Sequence, residues 1–313
     1  MSHRSYAIVG TGALGGYYGA RLHHAGLDVH LLLRSDYPHV ARHGLRVEST
    51  DGDFSIPPDA VHAYEDPAAM PRCDVVCVCL KATANDALPA ILPHVLADDG
   101  VVVLLQNGLG FERDVAAIVG DDRVLGGLAF LCSNKVGPGH IRHVDYGRIR
   151  LGDYRPDASA AGVTDRLRAV GGDFERAGID ITLADDLLLA RWQKLVWNVP
   201  YNGLSVVLDA TTDQLMADAQ TAALVESLMI EVAAGAEAAG RVIERSFIEQ
   251  MMADTRKMTP YRTSMKVDHD QGQPMEVEAI FGAPVRDAAS RGVSLPRVEM
   301  LYRQLRFIDQ ARS

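Results

Sequence analysis

The sequence predicts an α/β chain with an N-terminal doubly wound parallel sheet and an all-helical C-terminal domain. Three observations carry this prediction. Strand-like and helix-like segments alternate over the first 184 residues, a glycine-rich turn separates the first strand from the first helix, and helical periodicity dominates from about Asp185. A chain of 313 residues can bury two cores, so we expect two domains, at 1–184 and 185–313.

Short apolar runs and amphipathic segments define the predicted elements. Strands are predicted at 5–9, 28–33, 74–80, 101–105 and 123–131. Helices are predicted between them at 13–25, 83–97 and 110–119. A β-rich tail at 136–152, a helix near 157–177 and a strand near 179–183 complete the first domain. The helices that follow are broken by Gly- and Pro-containing stretches at 208–213, 257–262, 268–274 and 291–296.

Composition and charge exclude several classes of protein. The net charge of −10 is spread along the chain without a basic stripe, which argues against a nucleic-acid partner. Apolar runs fall far short of the about 20 residues that span a bilayer, and "MSHRSYAIVG" enters a strand without a signal peptide. The alternation of Cys73, Cys77 and Cys79 suits packing in a reducing cytosol, so we expect a cytoplasmic protein. His39 and His43 have no third ligand nearby, so no metal is predicted.

A glycine-rich turn follows the first strand. Its residues are Gly10, Thr11, Gly12, Ala13, Leu14 and Gly15. In this strand–turn–helix context Gly10 suits the tight turn, Gly12 lets the backbone approach a pyrophosphate, and Gly15 permits close packing of helix on strand. The helix N-terminus favours the anion. We therefore predict a Rossmann-like dinucleotide site at these residues.

The end of the second strand predicts which dinucleotide binds. NAD enzymes usually carry an acidic residue there for the ribose 2′-hydroxyl, whereas this strand ends in Leu33-Arg34-Ser35. An arginine suits a 2′-phosphate, so Arg34 predicts NADPH. Asp36 leaves NADH open, because it could accept the hydroxyl if Arg34 points away. Lys81 and Asn107, which follow later strands, are further cofactor candidates, although both also suit ordinary turns.

The segment "KLVWNVPYN" (194–202) places polar residues in an apolar helix. Lys194, Asn198 and Asn202 recur every four residues and therefore share one helix face. A solvated face is one interpretation, but asparagine is a poor helix former, and two of them indicate a binding site. Pro200 lacks the amide N–H that a helix needs and predicts a kink.

A second polar stretch lies at 261–292. Pro274 suits the first residue of a helix that runs to Arg291 and ends at Gly292, which puts Glu276 in the first turn. Considered alone, Glu276 is explained by the helix dipole, which favours a carboxylate at this end.

These motifs, in this order, resemble the ketopantoate reductases. The combination consists of the glycine-rich turn, Arg34, Asn107-Gly108, a K-x-x-x-N-x-x-x-N helix and an S-M-x-x-D…E-x-E-x-I-x-G segment. The resemblance covers nearly the whole chain and implies NADPH-dependent reduction of a small-molecule 2-oxo acid. It implies that Lys194 is the catalytic lysine and Glu276 the essential glutamate. It places four residues on substrate-contacting positions: Asn107, Asn198, Asn202 and Ser264.

The chemistry of ketone reduction agrees with these implied roles. Hydride addition leaves negative charge on the ketone oxygen, which the Lys194 ammonium can stabilise and protonate. Glu276 would repel the substrate's carboxylate, so we expect it to face a hydroxyl or to hold Lys194, and we expect Ser264 to bind the carboxylate. The expected reaction is the reduction of 2-dehydropantoate (ketopantoate) to (R)-pantoate in pantothenate biosynthesis.

Departures from the family pattern leave alternatives open. Met275 stands where the family commonly has Thr, and residues 278–282 read Glu-Ala-Ile-Phe-Gly rather than Asp-Tyr-Ile-Asn-Gly. The more apolar neighbourhood would suit a bulkier 2-oxo acid, and an opine-type dehydrogenase or a non-catalytic NADPH sensor are further alternatives. The helices near 214–239 and 296–310 suit either the core or the face of a homodimer.

Overall fold

The computed structural model describes residues 4–311, which form two compact units. One unit contains residues 4–106 and Glu112–Leu187, and the other contains Asn107–Phe111 and residues 188–311. The described strands all belong to the first unit, and the second is built from helices. The short stretch Asn107–Phe111, which lies within the predicted range 1–184, thus groups with the helices.

The first unit is a ten-stranded sheet with helices packed on it. Its strands are β1 Ser5–Val9, β2 Asp28–Leu32, β3 Leu45–Ser49, β4 Phe54–Ile56, β5 His62–Tyr64, β6 Cys73–Val78, β7 Leu96–Leu104, β8 Val124–Gly137, β9 His140–Asp153 and β10 Ile181–Ala184. Its helices are α1 Ala13–His24, α2 Tyr37–His43, α3 Leu88–Val95, α4 Phe111–Val119 and α5 Asp165–Arg176.

The order of the strands is that of a doubly wound sheet. They lie in the order β4-β3-β9-β8-β7-β6-β1-β2-β5, with β10 beside β9. Strand β1 pairs in parallel with β2 on one side and with β6 on the other, so the direction of winding reverses beside β1. The predicted fold class is confirmed. Antiparallel pairing of β8 with β9 and of β3 with β4 makes the sheet mixed rather than wholly parallel.

Several boundaries differ from the predicted ones. The helix predicted at 83–97 is a 3₁₀ segment, Ala82–Ala87, followed by the shorter α3, and β7 starts earlier than predicted, at Leu96. The helix predicted from 157 starts at Asp165, because the Thr164 hydroxyl caps it by accepting the Leu167 amide. The prediction missed β3, β4 and β5, which have only three to five residues and too few apolar positions to show a period.

The carboxyl ends of the central strands line up. Val9 lies beside Leu32 and Val78, and Val78 lies beside Leu104. The residues that follow β1, β2 and β6 therefore emerge at the same edge of the sheet, which is where open α/β sheets bind their ligands.

The second unit packs its helices around a separate apolar core. They are α6 Leu187–Val207, α7 Thr212–Ala217, α8 Ala219–Ala238, α9 Arg245–Lys257, α10 Ser264–Asp270, α11 Ala283–Ser290 and α12 Pro296–Gln310. Trp192, Tyr201 and Phe281 are the largest fully buried side chains of this core. None of the helices among residues 4–311 is long and apolar enough to cross a membrane.

The helix prediction from Pro274 was wrong in its start. Pro274 and Glu276 precede the helical backbone, which begins at Val277 with a π-helical segment, Glu278–Gly282, and continues into α11. The Ala279 carbonyl accepts the Leu109 amide at 3.0 Å. We attribute the π segment to this tertiary bond, because it engages a carbonyl of the helical ladder.

A buried carboxylate ties the first strand to α5. Asp173 accepts hydrogen bonds from the Tyr6 hydroxyl at 2.6 Å and from Arg4 at 2.6 and 2.9 Å, and Arg176 also donates to it. Burial alone would raise its pKa, but the bonds from Arg4 and Tyr6 outweigh burial and lower it. The ionised form therefore stabilises the fold.

We expect Asp173→Asn to lower the free energy of unfolding by about 1–3 kcal/mol at pH 7, because the buried Tyr6 hydroxyl and the partly exposed Arg4 lose their charged partner. Since the native pKa is lowered, this contribution is present above the unfolded pKa of about 4 and is lost as pH falls through the native value. Urea unfolding at several pH values measures it. Glu175→Gln changes an exposed residue on the same helix, and its free energy of unfolding should stay within about 0.5 kcal/mol of the wild-type value. Equal effects of the two changes would contradict the assignment.

Candidate active site

The glycine-rich turn has the geometry of a phosphate-binding turn. Gly10 adopts φ +95°, and a Cβ there would lie 2.8 Å from the Leu80 amide nitrogen. A Cβ on Gly15 would lie 2.1 Å from the Gly10 carbonyl oxygen, so the close contact of α1 with the turn requires glycine. A Cβ on Gly12, by contrast, would meet no atom within 4 Å. The space in front of Gly12 is therefore open to a ligand.

The start of α1 is suited to an anion. The helix begins at Ala13, directly after Gly12, and its first turn, which includes Leu14, carries no acidic residue. Amides in this turn have no partner within the helix and can donate to phosphate oxygens. The Thr11 hydroxyl donates to the Leu32 carbonyl at 3.1 Å and so fixes the turn to the end of β2.

The side chains of Arg34 and Asp36 differ in whether they are already bonded within the protein. The Arg34 side chain is exposed and makes no hydrogen bond or ion pair with residues 4–311. Asp36 is buried, with one oxygen 2.7 Å from the Lys135 ammonium and the other 3.1 Å from the Gly139 amide. Its carboxylate is thus already engaged, whereas the guanidinium can bind a ligand.

The turn after β6 is joined to the end of β7. Lys81 is exposed and precedes the 3₁₀ segment Ala82–Ala87. The Gln106 side-chain amide donates to the Leu80 carbonyl at 2.9 Å and to the Asn85 side chain at 2.6 Å. This bonding holds Lys81 at the sheet edge that carries the glycine-rich turn.

Within the helical unit, α6 carries the polar stripe that the sequence predicted. The helix runs without interruption from Leu187 through Pro200 to Val207. Lys194 is half-buried and its pKa is lowered to about 7. The largest cause is desolvation, to which the positive charge of Arg191 adds, while the negative charge of Glu276 opposes both. The ammonium of Lys194 therefore loses its proton far more readily than an exposed lysine does.

Two amides further along this helix have buried atoms that lack a partner. The Asn198 side-chain nitrogen and the Asn202 side-chain oxygen make no hydrogen bond within the described chain. Both side chains are buried, at 5% and 2% exposure. Leaving such an atom without a partner costs about 1–3 kcal/mol, so these atoms point to a polar ligand that satisfies them.

The start of α10 is joined to the same helix. The hydroxyls of Ser205 and Thr263 lie 2.7 Å apart, and Ser205 also donates to the Asn202 carbonyl at 3.1 Å. Thr263 caps α10, whose first residue is the half-buried Ser264. The bond between hydroxyls therefore fixes Ser264 near the polar stripe of α6.

The loop that carries Asn107 belongs to the helical unit too. A Cβ at Gly108, which has φ +117°, would lie 2.5 Å from the Ala279 carbonyl oxygen, so only glycine allows this contact. Asn107 is half-buried beside this contact. The buried Glu276 lies three residues before Ala279. Asn107 is thereby held beside the segment that begins with Glu276.

Arg191 was missed by the sequence analysis. It is 2% exposed, and its guanidinium lies 4.7 Å from the centre of the Phe111 ring. The spacing of three residues to Lys194, which puts both on one helix face, was the signal that could have indicated it. A buried arginine three residues from a lysine lowers the lysine pKa and so belongs to the site.

The pair of histidines that the sequence analysis considered lies on α2. The rings of His39 and His43 are 4.7 Å apart. Among residues 4–311, the group with the spacing of a metal site is a different one, Asp28, His30 and His62.

Comparison with known proteins identifies the family. Residues 6–156 match the family model "Ketopantoate reductase PanE/ApbA", and residues 186–309 match "Ketopantoate reductase PanE/ApbA C terminal". A 2-dehydropantoate 2-reductase from a Nostoc species is 58% identical over 309 residues, which are 99% of this chain and 96% of that protein.

Solved structures agree with these matches. The 2-dehydropantoate 2-reductase of Geobacter metallireducens is 41% identical with a TM-score of 0.92, over 98% of this chain and 99% of that one. The 2-dehydropantoate 2-reductase of Methylococcus capsulatus is 35% identical with a TM-score of 0.88, over 99% of this chain and 98% of that one. With family matches in both halves of the chain and these relatives along its whole length, the chain belongs to the ketopantoate reductase (PanE/ApbA) family.

Proposed function

We propose that this protein reduces the 2-oxo group of 2-dehydropantoate to (R)-pantoate with NADPH, a step of pantothenate biosynthesis. The observation that carries the proposal is the 58% identity to a 2-dehydropantoate 2-reductase over 99% of the chain. Cofactor binding is assigned to the sheet unit and substrate binding to the helical unit. The reaction consumes one proton besides the hydride, so a proton donor is required.

Lys194 is that donor in the proposed mechanism. NADPH supplies the hydride that adds to C2 of the 2-oxo acid. The Lys194 ammonium hydrogen-bonds to the ketone oxygen, stabilises the negative charge that develops there, and transfers a proton to it. The neutral amine then regains a proton from water. A pKa of about 7 suits an acid that works near neutral pH.

The remaining polar groups bind the substrate in this proposal. The buried side chains of Asn198 and Asn202 direct their unpartnered atoms to its oxygens without adding charge. The Ser264 hydroxyl binds the carboxylate, and Glu276 accepts a hydrogen bond from the terminal hydroxyl. Asn107, held beside the Glu276 segment, contributes a further neutral amide to substrate or cofactor.

The alternative of a bulkier, more hydrophobic 2-oxo acid loses its main argument. It depended on Met275 and Phe281 making the site more apolar. Met275 is 2% exposed and Phe281 fully buried, and both belong to the apolar core of the helical unit. Packing in this core explains the apolar character of both side chains without a bulkier substrate.

For the cofactor, we propose that Arg34 binds the 2′-phosphate of NADPH. Arg34→Ala should remove a charge-assisted hydrogen bond of about 1.5–3 kcal/mol and weaken NADPH binding roughly 10- to 150-fold, with little change for NADH. Fluorescence titration with each cofactor measures this. Arg42→Ala removes another exposed arginine nearby and should bind both cofactors as wild type does. Equal affinity of the wild type for NADH and NADPH would count against the assignment.

The pH dependence of the reduction tests Lys194. Since the ammonium is the reactive form and its pKa is about 7, kcat/KM should be constant well below pH 7 and fall about tenfold per pH unit above it. Lys194→Ala should lower kcat by about 10²–10⁴ and remove this fall. Lys257→Ala, on an exposed position, should keep the wild-type profile. If kcat/KM of Lys194→Ala still decreased above pH 7, the titrating group would be a residue other than Lys194.

Substrate preference tests Glu276. Wild type should reduce 2-dehydropantoate with a kcat/KM about 10- to 100-fold above that of its deoxy analogue 2-oxo-3,3-dimethylbutanoate, which lacks the hydroxyl that Glu276 would bind. Glu276→Ala should largely remove the difference. Glu278→Ala is the matched control, because Glu278 is exposed and bonded to Arg286 at 2.9 Å. A wild-type preference for the deoxy compound would overturn the proposed substrate.

A further inference from the structure

A cluster of metal-ligating side chains lies in the sheet unit, away from the glycine-rich turn. Asp28 opens β2, His30 lies two residues further on, and His62 opens β5. Residues two apart on a strand face the same side, and His30 pairs with His62 in the register of the two parallel strands. The backbone therefore places all three side chains on one face of the sheet.

The distances within this cluster match a shared ion. The Asp28 carboxylate oxygen lies 3.1 Å from Nε2 of His30 and 3.5 Å from Nδ1 of His62, and all three ligand atoms lie within 4.8 Å of one another. Zinc bonds of about 2.0–2.1 Å in tetrahedral geometry put neighbouring ligand atoms about 3.3–3.4 Å apart. The two imidazole rings are stacked with their centres 4.9 Å apart. A small rotation of both rings toward the Asp28 oxygen would bring all three ligand atoms to the spacing of a zinc site.

A fourth residue orients one of the ligands. The Tyr64 hydroxyl lies 3.2 Å from Nδ1 of His30, the ring nitrogen that faces away from Asp28. When that hydroxyl accepts the proton of Nδ1, the lone pair of Nε2 points toward the Asp28 oxygen. In that tautomer Nε2 is an acceptor 3.1 Å from the Asp28 oxygen, an arrangement that a bound cation would stabilise. Metal-ligating histidines commonly have such a hydrogen-bond partner on the other ring nitrogen.

We infer that Asp28, His30 and His62 bind a zinc ion, with water in the fourth position. His30 is 6% exposed and anchors the site, while Asp28 and His62 are about half exposed, so an ion can enter from solvent. Two imidazoles and one carboxylate favour Zn²⁺ over Mg²⁺, which prefers oxygen ligands in octahedral geometry. Three protein ligands and one water form a recognised zinc coordination.

The bound ion would act on the fold and leave the reduction unchanged. β5 is the last strand at its edge of the sheet and has three residues, so few hydrogen bonds hold it. Zinc would link it to β2. Asp28 pairs with Ser5 at the amino end of β1, whereas the glycine-rich turn follows Val9 at the carboxyl end. The Asp28 end of the zinc site therefore lies level with the amino end of β1, and the other two ligands lie on β2 and β5 rather than on the turn.

Zinc titration of the full-length protein against a chelating dye tests the inference. Wild type should bind one Zn²⁺ that His62→Ala and Asp28→Asn each fail to bind, and its Tm should rise with Zn²⁺ but not with Mg²⁺. Tyr64→Phe should weaken binding about 10- to 100-fold, the usual effect of removing a partner of a metal ligand.

The matched control is the double change His39→Ala and His43→Ala, which removes a stacked histidine pair on α2. This variant should bind Zn²⁺ as wild type does. NADPH-dependent reduction by His62→Ala, measured without metal, should equal that of wild type and shows that the variant is folded. Equal Zn²⁺ affinity of wild type and His62→Ala, or loss of binding in the α2 variant alone, would overturn the inference.

Discussion

The central constraint on the helical unit is that one of its helices carries a lysine side chain partly removed from water. A lysine in water holds its proton to a pKa near 10.5 and is a poor acid at neutral pH. Desolvation and the positive charge of Arg191 lower the pKa of Lys194 to about 7, although the negative charge of Glu276 acts in the opposite direction. Desolvating a charge costs folding free energy, and the helix that carries it must recover that energy elsewhere. Leu195, Val196 and other apolar residues of α6, buried in the core, do so.

The polar stripe of α6 divides into a satisfied and an unsatisfied part. Ser205 has two partners, Thr263 and the Asn202 carbonyl, and this bonding fixes α6 to the start of α10. The side chains of Asn198 and Asn202 each have a buried atom with no partner in the described chain. Folding gains nothing from such atoms, so the fold alone does not explain two amides at these positions. The stripe thus combines a structural tie at one end with two amides that the fold leaves partly unsatisfied, which is the basis for proposing them as ligand-binding groups.

The sequence was most informative where local rules decide the structure. Strand β1 was predicted at 5–9 and found there, and α1 follows the glycines as expected, because period and turn chemistry act over a few residues. The prediction failed where a distant contact decides. The π segment after Glu276 accompanies the hydrogen bond from the Leu109 amide to the Ala279 carbonyl. A local sequence pattern does not predict a bond between residues 170 positions apart in the chain. The spacing of Lys194 and the two asparagines followed from helix geometry, but their functional roles stay predictions.

Distant contacts also determine which side chains after β2 are available to a cofactor. An arginine after β2 favours a 2′-phosphate only if the neighbouring carboxylate does not compete for the ribose hydroxyl. The Asp36 carboxylate already accepts hydrogen bonds from Lys135 on β8 and from the Gly139 amide in the turn between β8 and β9. It is therefore not available to the ribose hydroxyl. Gly139 has φ +61°, and a Cβ there would lie 3.0 Å from the Gly44 carbonyl oxygen, so the turn can approach α2 only with glycine. On the proposed assignment, the β8–β9 hairpin therefore favours NADPH by engaging the residue that would have favoured NADH. The sequence indicated this hairpin only as a strand at 123–131 and a β-rich tail at 136–152.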